Sequence, residues 1–84
     1  MPKPPPKNSP LIAARLHAIH LEISGNREII VEGSRGILLY REEAIKLNAG
    51  NYILSVSGRG LHIKCMSESD LVIQGFITGI EYLI

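Results

Sequence analysis

Three histidines, a single cysteine and two glycine-bracketed arginines are the residues of this chain whose types suit chemistry. His17-x-x-His20 together with His62 has the composition of a zinc site. On a strand, a spacing of three points two side chains to opposite faces, and only a helix would bring them together. Cys65 is expected on the buried face of its strand and His62 on the other face, so no metal or cofactor site is expected. Nucleophilic catalysis needs a nucleophile, a base and an orienting group within hydrogen-bond reach. The serines here sit in turns or at strand ends, where hydroxyls commonly serve the backbone. Glu42 and Glu43 belong to a mixed Arg-Glu-Glu run that reads as a solvated corner rather than an acid/base pair. Gly33-Ser34-Arg35-Gly36 and Gly58-Arg59-Gly60 have the makings of an anion cradle built from backbone N–H groups and arginine. Neither has the spacing of a phosphate loop, and neither opens a helix. No catalytic residues are expected, and the chain does not read as an enzyme.

The elements that position these residues are read from the stretch Tyr52 to Met66 outward. Tyr52, Leu54 and Val56 alternate with Ile53, Ser55 and Ser57, and Leu61, Ile63 and Cys65 alternate with His62, Lys64 and Met66. Each run has the period of a strand with one buried face. Gly58-Arg59 between them suits a type II′ turn and predicts a β-hairpin. In that register Val56 faces Leu61, Leu54 faces Ile63 and Tyr52 faces Cys65, while Ser55 faces His62 and Ile53 faces Lys64. Slipping by one residue would mix the faces.

Along the rest of the chain, Leu11 to Arg15 fits either one or two helical turns or the lead-in to a strand. Alternation from His17 to Ser24 predicts a first strand, and Gly25-Asn26 a turn. Glu28 to Glu32 reads as a second strand with Ile29 and Val31 on one side. Gly33 and Gly36 break the chain before Ile37 to Tyr40, which is apolar on both faces and so expected in a central position or sandwiched between layers. Arg41-Glu42-Glu43 has helical character over a single turn, followed by a strand through Ile45 and Leu47. Ser67 to Asp70 is a polar turn. Leu71 to Gln74 and Phe76 to Leu83 are the last two strands, separated by a bulge or bend at Gly75. Gly25, Asn26, Gly33, Gly36, Gly58, Gly60 and Gly75 are thus the structural turn positions. The expected fold is all-β: a small antiparallel sandwich, roll or barrel of seven to eight short strands.

All five prolines fall within the first ten residues, so residues 1–14 read as a disordered Pro-rich tail and residues 15–84 as one domain. A core drawn from roughly 70 residues is marginal, which favours a partner or self-association. Six Lys/Arg meet eight Asp/Glu from Leu21 onward. That balance argues against a broad nucleic-acid surface, which depends on clustered cations. A lone cysteine fits a reducing compartment, and no apolar run approaches the roughly 20 residues of a membrane helix. The proline-rich start also does not read as a signal peptide, so the expectation is a cytoplasmic protein without direct membrane insertion. Ile53, Met66, Val72 and Leu83 fall on faces opposite the main apolar rows of their strands, which marks them as second-layer core or as an interaction surface.

With these motifs placed, the chain resembles the YabP/YqfC family of sporulation proteins, nearer its YqfC-like branch, from about Arg15 to Leu83. The resemblance is carried by Gly25-Asn26, Ile30-Val31-Glu32-Gly33, Arg35-Gly36-Ile37, Val56-Ser57-Gly58, Leu61-His62-Ile63-Lys64 and the run from Val72 to Leu83. It implies a protein of endospore-forming Firmicutes, needed for correct spore or coat assembly, with a YqfD-like membrane protein as partner and no catalytic residues. The first functional expectation is therefore an assembly module that contacts itself, as a homo-oligomer, or a sporulation membrane protein at the forespore membrane. The alternative is an RNA-binding small barrel. Val72-Ile73-Gln74-Gly75 with Ile77 and Ile80 resembles the second motif of Sm-like proteins, and Gly36 to Asn48 the first.

Overall fold

The computed structural model describes residues 19–84. The Pro-rich segment, His17 and the stretch Leu11 to Arg15 lie outside the described residues. Six antiparallel strands form one open sheet, and no helix occurs among the described residues.

Three hairpins build the sheet. β1 (His20–Ser24) and β2 (Glu28–Glu32) are joined through Gly25, whose φ of 56° suits a residue without a Cβ. β3 (Ile37–Tyr40) and β4 (Ala44–Asn48) are joined through Glu42-Glu43. Arg41 and Ala44 exchange both backbone hydrogen bonds, at 2.8 and 3.3 Å, so the expected helical turn is instead a two-residue hairpin loop. The third hairpin pairs β5 (Ile53–Met66) with β6 (Asp70–Leu83), each 14 residues long, around the polar turn at Ser67–Ser69.

This third hairpin corrects the predicted one. Gly58-Arg59 is no turn: the strand continues through Gly58 and Gly60 to Met66. Leu54 faces Tyr82, Val56 faces Ile80 and Ile53 faces Leu83. The glycines serve a close approach between backbones. A Cβ at Gly58 would overlap the Phe76 carbonyl oxygen, and one at Gly75 would lie 2.8 Å from the Gly60 carbonyl oxygen. Arg59 pairs with Phe76 and His62 with Gln74, so Gly60 and Leu61 together oppose Gly75 alone. That is a β-bulge, which bends the strand and shifts its facing by one residue. Merging each pair of expected short strands into one bent strand reduces the expected seven or eight to six.

The strand order β1-β2-β6-β5-β4-β3 forces the sheet to curl. In a flat sheet, β2 and β3 would stand roughly 19 Å apart at about 4.8 Å per strand. The connection from Glu32 to Ile37 reaches at most about 18 Å when fully extended. The actual connection is not stretched. Ser34 N donates to Ser69 O at 2.8 Å and the next amide, Arg35 N, to Asn48 O at 2.8 Å, so the ends of β6 and β4 lie within one residue's reach of each other. Curling brings the inner faces together around Ile29, Val31, Ile45, Leu47, Leu54, Val56, Leu61 and Ile73, all fully buried.

Two further expectations are corrected. β3 is an outermost strand, not a central one. Its apolar residues look outward because a register shift between Ile37 and Leu39 leaves Leu38 53% exposed. Cys65 is exposed rather than buried: the register passes from Ile63↔Ile73 to Cys65↔Val72, and the extra residue, Lys64, turns the cysteine off the core face.

Candidate functional site

The surface features of this domain are backbone edges rather than assembled side chains. β4 covers β5 only along Ile53–Ser57, and β2 covers β6 only along Asp70–Gln74. Beyond those ladders, the tips of the two short hairpins take over. Gly58 N and Leu61 N donate to Glu43 O and Glu42 O at 3.1 and 2.8 Å. On the other side, Gly75 N and Ile77 N donate to Arg27 O and Asn26 O, also at 3.1 and 2.8 Å. Each tip thus satisfies the amides freed by a bend, as buried or crowded backbone requires.

Past the bend, β5 presents an edge whose Ile63 N–H is met by the Tyr40 hydroxyl at 2.9 Å. Between β3 and this edge runs a groove of about 340 Å³ lined by Ile37, Tyr40, Ile63, Lys64, Cys65 and Met66. A smaller hollow of about 220 Å³ lies on the other side of Cys65 and Met66, against Ile30, Leu71 and Val72. The four candidate surface residues fall into two separated pairs. Ile53 sits opposite Leu83 at one end of the long hairpin, both half-buried. Met66, 65% exposed, and half-buried Val72 share the hollow at the other end.

Four amides of the glycine loops considered as anion cradles are already engaged. Gly33 N and Ser34 N both donate to Ser69 O, Arg35 N donates to Asn48 O, and the Arg35 guanidinium packs over Gly50. Gly58 N is held by Glu43 O. Arg27, Arg59 and His62 do line a cleft of about 440 Å³ with Gln74 and Phe76, yet the carboxylate of Glu28 accepts from Gln74 at 2.8 Å. His62 Nδ1 lies 3.2 Å from Gly60 O, and the Ser34 and Ser67 hydroxyls donate to backbone carbonyls. Among the described residues, no three His, Cys, Asp or Glu side chains gather to hold a metal. No helix there is long and apolar enough to cross a membrane.

Charge is unevenly placed, a feature the sequence reading passed over. β1, β2 and β6 with their loops carry Glu22, Glu28, Glu32, Glu68, Asp70 and Glu81 against Arg27 alone. β3, β4 and β5 with theirs carry Arg35, Arg41, Lys46, Arg59 and Lys64 against Glu42 and Glu43. Counting charges per strand rather than per chain would have revealed it.

A single curled antiparallel sheet, with an apolar groove between β3 and β5, makes the described residues a small all-β domain. Its family follows from sequence: residues 15–84 match the model of the YabP family, and the chain belongs to that family. The match spans the region over which the resemblance was drawn. No curated protein matches the chain. Family membership suggests a sporulation-related role.

Proposed function

We propose that this protein is a non-enzymatic assembly module of spore or coat formation in an endospore-forming bacterium, working through protein–protein contacts at its strand edges. The observation that carries this reading is the groove between β3 and the uncovered half of β5, where exposed apolar side chains lie beside unladdered backbone. Exposed apolar edges of this kind are templates for pairing with another chain. The hydroxyl in the groove, on Tyr40, accepts from the Ile63 N–H, and elsewhere His62, Ser34 and Ser67 are engaged with backbone carbonyls, which speaks for binding over catalysis. On this reading the protein is cytoplasmic and reaches the forespore membrane through a YqfD-like membrane protein.

Co-expression of the full chain with a YqfD-like protein, detergent solubilisation and affinity purification tests the reading. Co-purification, or self-association in light scattering, is expected. A chain that does neither is not an assembly module.

A further inference from the structure

We propose that copies of this chain join head to tail, the β1 edge of one copy pairing with the β3 edge of the next, so that one sheet continues from molecule to molecule. The inference rests on the assembly reading above and adds the partner, the two surfaces and the symmetry.

β1 and β3 are the outermost strands of the sheet, five and four residues long, so the two edges are commensurate. Neither strand contains the Lys or Pro that commonly blunts an edge. Each carries exposed apolar residues: Ile23 is 52% exposed on β1, and Leu38 and Tyr40 are similarly open on β3. What selects the partner edge is charge. The β1 edge carries Glu22 beside Glu28 and Glu32, and the register places all three on the same face of the β1–β2 ladder as Ile30. β3 is bracketed by Arg35 and Arg41, with Lys46 paired beside it on β4, while Glu42 and Glu43 at the hairpin tip line a hollow with Arg59 on β5. Closed dimers of the β1–β1 kind would bring glutamates together, and β3–β3 dimers arginines. The mixed joint brings opposite signs together. A joint between two different edges does not close on itself, so it propagates as an open chain. A ladder of four or five residues is far smaller than a standard interface of roughly 800 Å² per partner. Each joint is therefore weak, and growth depends on concentration.

Light scattering of the full chain across protein concentration, at roughly 0.05 and 0.5 M salt, reads the mass. Screening shortens from a Debye length above 10 Å to a few ångströms between these conditions. Expected is a mass that climbs with concentration at low salt without stopping at twice the monomer, and falls back at high salt. Two variants then assign the edges: Ile23→Lys spoils β1 and Leu38→Lys spoils β3, both at positions more than half exposed. Each alone should be monomeric. Their equimolar mixture should give a species of twice the monomer mass, because one intact edge of each kind remains. Circular dichroism confirms folding. Should either lysine variant unfold, the charge reversals Glu22→Lys and Arg41→Glu replace them: each alone should be monomeric, and their mixture should grow with concentration, because both joints between unlike variants unite opposite signs. A dimer that resists salt, or that either single variant still forms, overturns the head-to-tail joint and leaves the assembly reading intact. So does a strict monomer that still co-purifies with the membrane protein. A strict monomer that binds no partner removes both.

Discussion

The two flanks of the long β5–β6 hairpin use one design with different charge. On one flank the β1–β2 hairpin ladders onto the first half of β6, and its tip carbonyls hold Gly75 and Ile77. On the other the β3–β4 hairpin ladders onto the first half of β5, and its tip carbonyls hold Gly58 and Leu61. Matching hydrogen bonds have the same lengths on both sides. The charges do not match: the β1–β2 hairpin carries Glu22, Glu28 and Glu32 against Arg27, while in the β3–β4 hairpin Arg41 and Lys46 balance Glu42 and Glu43. Backbone geometry therefore sets the repeated part of the structure, because any bent strand must satisfy its freed amides. Nothing in the folding demands the charge difference, which makes it the part of the molecule free to serve recognition.

Breaking the bend should have the largest effect, and similarly on both flanks. Gly58→Val places a side chain against the Phe76 carbonyl, and Gly75→Ala adds a left-handed φ of 143° to the clash with Gly60. Each should cost about 3 kcal/mol or more, the range of severe backbone misfits, measured by urea denaturation. Equal losses would sustain the equivalence of the flanks, and a loss confined to one would end it. Truncating the core comes next. Ile45→Ala on the β3–β4 flank and Ile29→Ala on the β1–β2 flank, both fully buried, should each cost about 2–5 kcal/mol. A smaller effect distinguishes the flanks. Tyr40→Phe removes the hydroxyl that meets Ile63 N, which has no counterpart beside β6 among the described residues, and should cost about 0.5–1 kcal/mol in the same assay. Smallest is Gly79→Ala, where a Cβ meets nothing and φ is not positive, so stability should hold or rise by up to about 1 kcal/mol.

Much of this architecture was legible from residue patterns. β2, β3 and β4, the Gly25-Asn26 turn, the polar turn before Asp70 and the bend at Gly75 all lie where alternation and turn chemistry put them. The hairpin at Gly58-Arg59 misled for a definite reason. A two-residue turn and a β-bulge both carry Val56 and Leu61 onto the same face, so the alternation on either side is identical in the two cases. What separates them is the approach of Gly60 to Gly75, a contact between positions far apart in sequence. β3 misled differently, since four apolar residues in a row describe a sandwiched strand and an unprotected edge equally well. The surface was the least legible part. Ile53, Val72 and Leu83 proved half-buried, and the groove brings together Ile37 and Met66, whose proximity depends on the curl.

The strand order also ranks the steps of folding. Four of the five pairings join strands adjacent in sequence, from β1 with β2 to β5 with β6, and each can zip up from its own turn. Only β2 with β6 links distant segments, and closing that loop of about 40 residues costs about 3 kcal/mol of chain entropy. The β3-to-β6 meander is thus expected to form first, with the β1–β2 hairpin docking last. Core changes in β5 should then slow refolding, and changes in β2 should mainly speed unfolding, which stopped-flow chevrons resolve. During synthesis the hairpin made first among these six strands is the one that waits longest for its place, with both of its edges bare until β6 emerges.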